Sequence, residues 1–184
     1  LLESIFGIRT IATGEIVLDG HKLRFKSSKD AMEYNFALVT EERKLNGMFG
    51  KDTIEFNTVI TNLEQYKTMG ILSNRKMRDA ANREIKRMHT KCVSADELIT
   101  ALSGGNQQKV IIGKWMEREP DVFLLDEPTR GIDVGAKYEI YQLIIQMAKE
   151  GKTIIVVSSE MPEILGITNR IAVMSNHRLA GIVD

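Results

Sequence analysis

Val122-Phe123-Leu124-Leu125 is an uninterrupted apolar run that stops at Asp126-Glu127-Pro128. A run of that kind fits a strand covered on both faces, an environment typical of parallel sheets flanked by helices. Phe36-Ala37-Leu38-Val39, which ends in Thr40-Glu41-Glu42-Arg43-Lys44, has the same character. Thr153-Ile154-Ile155-Val156-Val157 is expected as another buried strand. Between these last two apolar runs, Gly135 to Glu150 reads as a helix with Ile140, Leu143, Ile144 and Met147 on one face. A short helix near Met161 to Leu165 follows, and then Arg170 to Met174 and Leu179 to Val183 form an expected antiparallel edge pair around Asn176-His177. Strands separated by helices imply an α/β core with a parallel sheet.

Gly14 to Gly20 reads as a short strand bounded by glycines, and Ser27 or Ser28 can cap a short helix through Tyr34. Between residues 51 and 118 helical patterns dominate. Ser73 could cap a helix to about His89, with Met77, Ala81, Ile85 and Met88 as its apolar stripe. Its basic run of Arg83, Lys86 and Arg87 is read as a solvated face rather than a binding patch. The expected division is 1–50, N-terminal core; 51–118, helical insertion; and 119–184, C-terminal core.

A length of 184 residues suits one domain with a real core. Lys+Arg and Asp+Glu both total 25, and this balance argues against a general nucleic-acid binder. Cys92 is the single cysteine, so no disulfide framework is expected. No apolar run approaches the roughly 20 residues of a membrane-spanning helix. His21, His89 and His177 lack metal-ligand spacing, and Trp115 is expected in the core.

The chemistry concentrates in two places. In open α/β sheets ligands sit outside the carboxyl ends of the strands, where Asp126 and Glu127 fall. Asp126 suits Mg²⁺, which takes one or two carboxylates beside phosphate and keeps its waters. Glu127 suits a base that polarises an attacking water. The second place is Leu102-Ser103-Gly104-Gly105-Asn106-Gln107-Gln108-Lys109. Here Ser103 stands where an N-cap belongs, two glycines allow close backbone approach, and a helix N-terminus favours an anion. Taken alone, this turn is also what an ordinary capped helix start looks like.

Thr129-Arg130-Gly131-Ile132-Asp133 follows the carboxylates, and Val157-Ser158-Ser159-Glu160 ends the next strand. In that order and spacing the segments resemble the signature, Walker B, D-loop and switch strand of ATP-binding cassette (ABC) ATPases, over essentially the whole chain. Leu102 to Lys109, Asp126 to Lys137 and Thr40 to Lys44 are most similar to the second cassette of bacterial monosaccharide importers, which carry two cassettes in one chain. The resemblance implies a P-loop NTPase-like fold with an inserted helical subdomain, ATP and Mg²⁺ as ligands, and ATP hydrolysis. Implied partners are the first cassette of the same polypeptide, membrane permease subunits and, indirectly, a periplasmic sugar-binding protein, with no nucleic acid. The implied location is peripheral, on the cytoplasmic face of the bacterial cell membrane. ABC proteins of DNA repair or translation are the competing class, but they carry long coiled-coil insertions or basic arms.

The resemblance also assigns roles. ATP is sandwiched between one cassette's phosphate loop and the other's signature, so Ser103, Gly104, Gly105 and Gln107 would serve the nucleotide held by the first cassette. Asp126, Glu127, Glu41 at the Q-loop position and Ser159 at the switch position would line the second site, with Asp133 as the D-loop acid. Glu41 replaces the family's Gln and Ser159 its His, so that second site is expected to be slow or silent. No Gly-x-x-x-x-Gly-Lys-Ser/Thr loop occurs in the chain. The chain is expected to be a piece of a longer protein, starting after that loop and lacking its strand.

Overall fold

The computed structural model describes residues 1–184. A short helix α1 (Leu2–Ile5) leads to a hairpin of β1 (Ile16–Leu18) and β2 (His21–Leu23), then α2 (Ser28–Glu33) and β3 (Phe36–Val39). Residues Arg43–Gly47 make one wide π turn. The helical stretch contains α3 (Ile54–Val59), a 3₁₀ segment Ile60–Tyr66, α4 (Asn74–Arg87), a second 3₁₀ turn Ile99–Ala101 and α5 (Gly104–Met116). A small hairpin, β4 (Lys67–Thr68) with β5 (Ile71–Leu72), interrupts it. The chain closes with β6 (Val122–Asp126), α6 (Val134–Lys149), β7 (Thr153–Val157), α7 (Met161–Ile167), β8 (Ile171–Ser175) and β9 (Arg178–Val183).

Three strands form the parallel sheet, in the order β3-β6-β7. Phe36 pairs with Val122 and Val39 with Leu125, while Asp126 pairs with Val157 on the other side. Every residue of β3 is buried, and so are Val122 to Leu125. The buried expectation for β7 is corrected: its residues alternate between half-buried and exposed, with Ile155 and Val157 each 38% exposed. β7 is an edge strand here, and only Ile154 and Val156 face the core. β8 and β9 form the expected antiparallel pair, turned by Asn176 and His177 at φ +48° and +61°.

Caps fall where the sequence placed them on two early helices. Ser27 Oγ accepts from Asp30 N at 3.3 Å and Ser73 Oγ from Lys76 N at 3.4 Å. Asp19 and Gly20, both at positive φ, tighten the β1–β2 turn. The β4–β5 hairpin left no sequence signal beyond Met69-Gly70, because a two-residue strand is too short to show a period.

α5 is the hinge pin of the packing. From Gln107 to Met116 every residue is buried. Val110, Ile111, Ile112, Trp115 and Met116 join the same core cluster as β3 and β6, with Phe6 edge-on to Trp115 at 5.7 Å. Its last carbonyls are capped from the 3₁₀ segment: Thr61 Oγ1 donates to Lys114 O at 2.9 Å and Asn62 Nδ2 to Glu117 O at 3.1 Å. Lys109 and Lys114 are buried with it. Lys109 Nζ donates to His89 O at 3.0 Å and pairs with Glu139 at 2.6 Å. Lys114 Nζ donates to Gly47 O at 2.6 Å, and burial pulls its ammonium down to about 8.

Two contacts of α5 make predictions. A Cβ at Gly105 would lie 2.4 Å from Ala136 Cβ on α6, so the helices meet at a glycine. Gly105→Ala should destabilise the chain by about 1–3 kcal/mol in urea unfolding, and adding Ala136→Gly should recover part of the loss. Glu84 on α4 faces α5 at Gly113, 6% exposed, with one oxygen unpartnered. Burial lifts its carboxyl from the usual 4.5 to about 7, against the opposing pull of Arg87. The folded chain therefore holds an extra proton between those values. That contribution is complete below 4.5 and is lost as pH rises through about 7. Glu84→Gln should flatten the fall in stability across this window, by about 2 kcal/mol over its width in pH-dependent urea unfolding.

Candidate functional site

β6 delivers Asp126 to the carboxyl edge of the sheet, and the chain leaves the strand through Glu127. Glu127 N still donates to Val157 O at 2.8 Å, but its φ of +45° is left-handed. A non-glycine residue keeps such a backbone only where its surroundings impose it. One surrounding group is plain: Ser159 N donates to Glu127 Oε1 at 2.7 Å. The switch position therefore meets the carboxylate through its backbone. Asp126 is half-buried, and desolvation, helped by the charge of Glu127, raises its carboxyl above the usual range. Neither carboxylate has a basic side chain in ion-pair range, so a cation beside Asp126 would offset an existing penalty.

After Pro128 the chain makes a tight loop. Arg130 N donates to Glu127 O at 3.1 Å, Ile132 N to Thr129 O at 3.3 Å, and Gly131 has φ +66°. Asp133, expected as the D-loop acid, caps α6, with Oδ1 accepting from Ala136 N at 3.0 Å. Thr129 is buried and its Oγ1 donates to Glu163 Oε1 at 2.8 Å. The second oxygen of Glu163 accepts from Ser158 Oγ.

The Ser-Gly-Gly turn opens α5 as expected, with one correction. Ser103 occupies the N-cap position at φ −61° and ψ 158°, but its side chain makes no bond to the helix backbone. Its Oγ instead accepts from Asn106 Nδ2 at 3.0 Å, and Asn106 Oδ1 accepts from Lys91 N at 2.8 Å. The first amides of α5 are left without a side-chain cap, which is what an anion-binding terminus requires. Gln107 is 6% exposed and turned inward, with Nε2 donating to Leu102 O at 3.0 Å, so it ties down the entry to the turn. Gly104 has a packing reason beyond ligand approach: a Cβ there would lie 2.9 Å from Arg43 Nη2 and 3.3 Å from Gly131 O.

Arg43, in sequence only one charge of the Thr40 to Lys44 cluster, bridges two segments in the structure. Its guanidinium donates to Arg130 O at 2.8 Å and Gly131 O at 3.3 Å, crossing between the segment after β3 and the D-loop. Glu41, two residues earlier, forms an ion pair with Arg130. Together they tie the segment after β3 to the loop at Arg130 and Gly131 and bring Arg43 against Gly104. Complementary charges at Glu41 and Arg130 were the available sequence signal, but positions 87 to 89 residues apart show no periodicity linking them.

The model of the family described as ABC transporter matches residues 1–130. The galactose/methyl galactoside import ATP-binding protein MglA of Treponema denticola is 79% identical over 184 residues, all of this chain and 37% of that protein. Its counterpart in Treponema pallidum is 77% identical over the same extent, and that of Vibrio vulnificus is 52% identical over 185 residues. The chain thus spans 37% of the length of these relatives. Among solved structures, the ATP-binding cassette MJ0796, a dimer bound to ADP and Pi in a post-hydrolysis state, superposes with TM-score 0.80 at 22% identity, covering 99% of this chain and 78% of that one. A nucleotide-free ATP-binding cassette from an ABC transporter gives 0.81 at 17% identity, covering 98% and 73%. These two likenesses are of fold: a P-loop NTPase core with a parallel sheet. On the family model, which matches well over half of its residues, the chain belongs to the ABC transporter family.

Proposed function

We propose that the chain is part of the second nucleotide-binding cassette of a bacterial ABC sugar importer that couples ATP binding and hydrolysis to uptake of a monosaccharide such as galactose or methyl galactoside. The observation that carries this is an uncapped Ser103-Gly104-Gly105 helix start together with the Asp126-Glu127 pair at the carboxyl end of β6, with Arg43 reaching from the turn to the loop that follows the pair. The sugar rests on the 79% identity with the Treponema denticola relative and on Ser158-Ser159-Glu160-Met161-Pro162-Glu163, which most resembles that protein. The partners are the first cassette of the same polypeptide, membrane permease subunits at the cytoplasmic face and, indirectly, a periplasmic sugar-binding protein.

Each residue has a role of its own kind. Ser103, Gly104 and Gly105 present a hydroxyl and amides to the phosphates of the ATP held by the partner cassette. Asp126, whose carboxyl is partly desolvated, holds Mg²⁺, which when bound neutralises phosphate charge. Glu127 keeps one oxygen on Ser159 N and offers the other to the attacking water. Glu41 and Asp133 set the Q-loop and D-loop positions through Arg130 and the cap of α6. A regulatory role for this half's own site is the second reading. It is favoured by Ser159, which brings an amide and a hydroxyl where an imidazole would assist proton transfer, and by Glu41 being already paired with Arg130.

Two experiments bear on the proposal. In the full-length protein, Ser103→Arg should abolish ATP hydrolysis while Glu127→Gln lowers it less, in steady-state phosphate release. Equal losses would remove the asymmetry between the two sites. The 184-residue chain by itself has no Gly-x-x-x-x-Gly-Lys-Ser/Thr loop to cradle phosphates, and calorimetric titration should show no saturable binding up to about 1 mM MgATP. A micromolar affinity would show that the chain binds MgATP without such a loop.

A further inference from the structure

Glu163, on α7, is only 3% exposed. A buried carboxylate ordinarily has a cation, yet Lys137 on α6 pairs with Glu160 instead, and the oxygens of Glu163 are taken by two hydroxyls. Burying that charge with neutral donors costs stability compared with an apolar side chain of similar size. The identity of the donors suggests what is gained. Thr129 Oγ1, 2.8 Å from Oε1, lies in the loop that follows Glu127. Ser158 Oγ donates to Oε2, accepts from Glu160 N at 3.1 Å, and belongs to the residue just before Ser159. Ser159 N in turn donates to Glu127 Oε1 at 2.7 Å.

We infer that Glu163 is a positioning residue for Glu127. It clamps the loop on one side of that carboxylate and the strand end on the other, so that the Ser159 amide stays aimed at Oε1. The left-handed backbone of Glu127, at φ +45°, is a conformation that needs holding from outside, and the clamp supplies that hold. Charge matters to the device, because an ionised carboxylate accepts from two hydroxyls at once, whereas an amide has a single acceptor oxygen. The kinetic part of the inference rests on the proposed role of Glu127 in polarising water; the geometric part does not.

The test uses the full-length protein with Glu163→Ala, Glu163→Gln, Glu127→Gln, the double variant Glu127→Gln with Glu163→Ala, and Met147→Ala, which empties a buried position on α6 remote from the clamp. Hydrogen exchange read by mass spectrometry should show the Ser159 amide exchanging about tenfold faster in Glu163→Ala, less so in Glu163→Gln, and no faster in Met147→Ala. In ATP hydrolysis, Glu163→Ala should lower kcat by about the factor seen for Glu127→Gln with KM for MgATP unchanged, and the double variant should lose no more. Unaltered exchange at Ser159 in Glu163→Ala, equal acceleration in Met147→Ala, or additive losses in the double variant would each overturn the inference. If Glu127→Gln itself leaves kcat untouched, the water-polarising role fails, and the exchange data alone decide whether Glu163 holds the Ser159 amide.

Discussion

The pairing of β6 between β3 and β7 is the constraint on which the site depends. An apolar strand hydrogen-bonded on both edges is held in register, because a shift of one residue would repack every core side chain and could draw Asp126 into the buried stretch. Asp126 is the last residue of that register, opposite Val157, so the sheet fixes where the acid emerges and the next residue can bend away. The backbone of Glu127 then keeps one further ladder contact, to Val157 O, while its side chain reaches Ser159. Carboxylate position is thus inherited from strand register, and the local loop only refines it.

A second layer of organisation comes from charged and polar side chains that cross between segments far apart in sequence. Arg43 and Glu41 reach the D-loop, Asn106 reaches Lys91, and Lys109 links α4 and α6 through α5. Lys109 alone among them is fully withdrawn from water, where a hydrogen bond is stronger and a lost partner is costlier. The glycines of the signature turn fit into this scheme, since Gly104 and Gly105 leave room for Arg43 and Ala136 respectively. Close packing of the turn and close approach of a phosphate make the same demand on these positions.

The α/β core was legible because it rests on local patterns: apolar runs for β3 and β6, helical spacing for α6, and caps at Ser27 and Ser73. Asp126 and Glu127 were legible too, since position at a strand end needs no tertiary information. β7 misled, because Thr153 to Val157 is as apolar in sequence as β6 while its place at the sheet edge is set by topology. The inward turn of Gln107 was hidden for a related reason: motif spacing says which residues cluster, and helix phase decides which of them turn inward. Arg43 and Glu163 could not be read at all. Their partners lie 87 and 34 residues away, and only the fold brings them together.

Lys114 carries a mechanical consequence. Its ammonium is buried at the far end of α5 from Ser103, and Gly47 O is its hydrogen-bond acceptor. Sliding α5 past the 43–47 turn would cost Lys114 its acceptor and favour loss of the ammonium proton, since burial has already pulled that group down to about 8. The 43–47 turn and the Ser103 end are thereby tied to one helical rod of 13 residues, about 20 Å long.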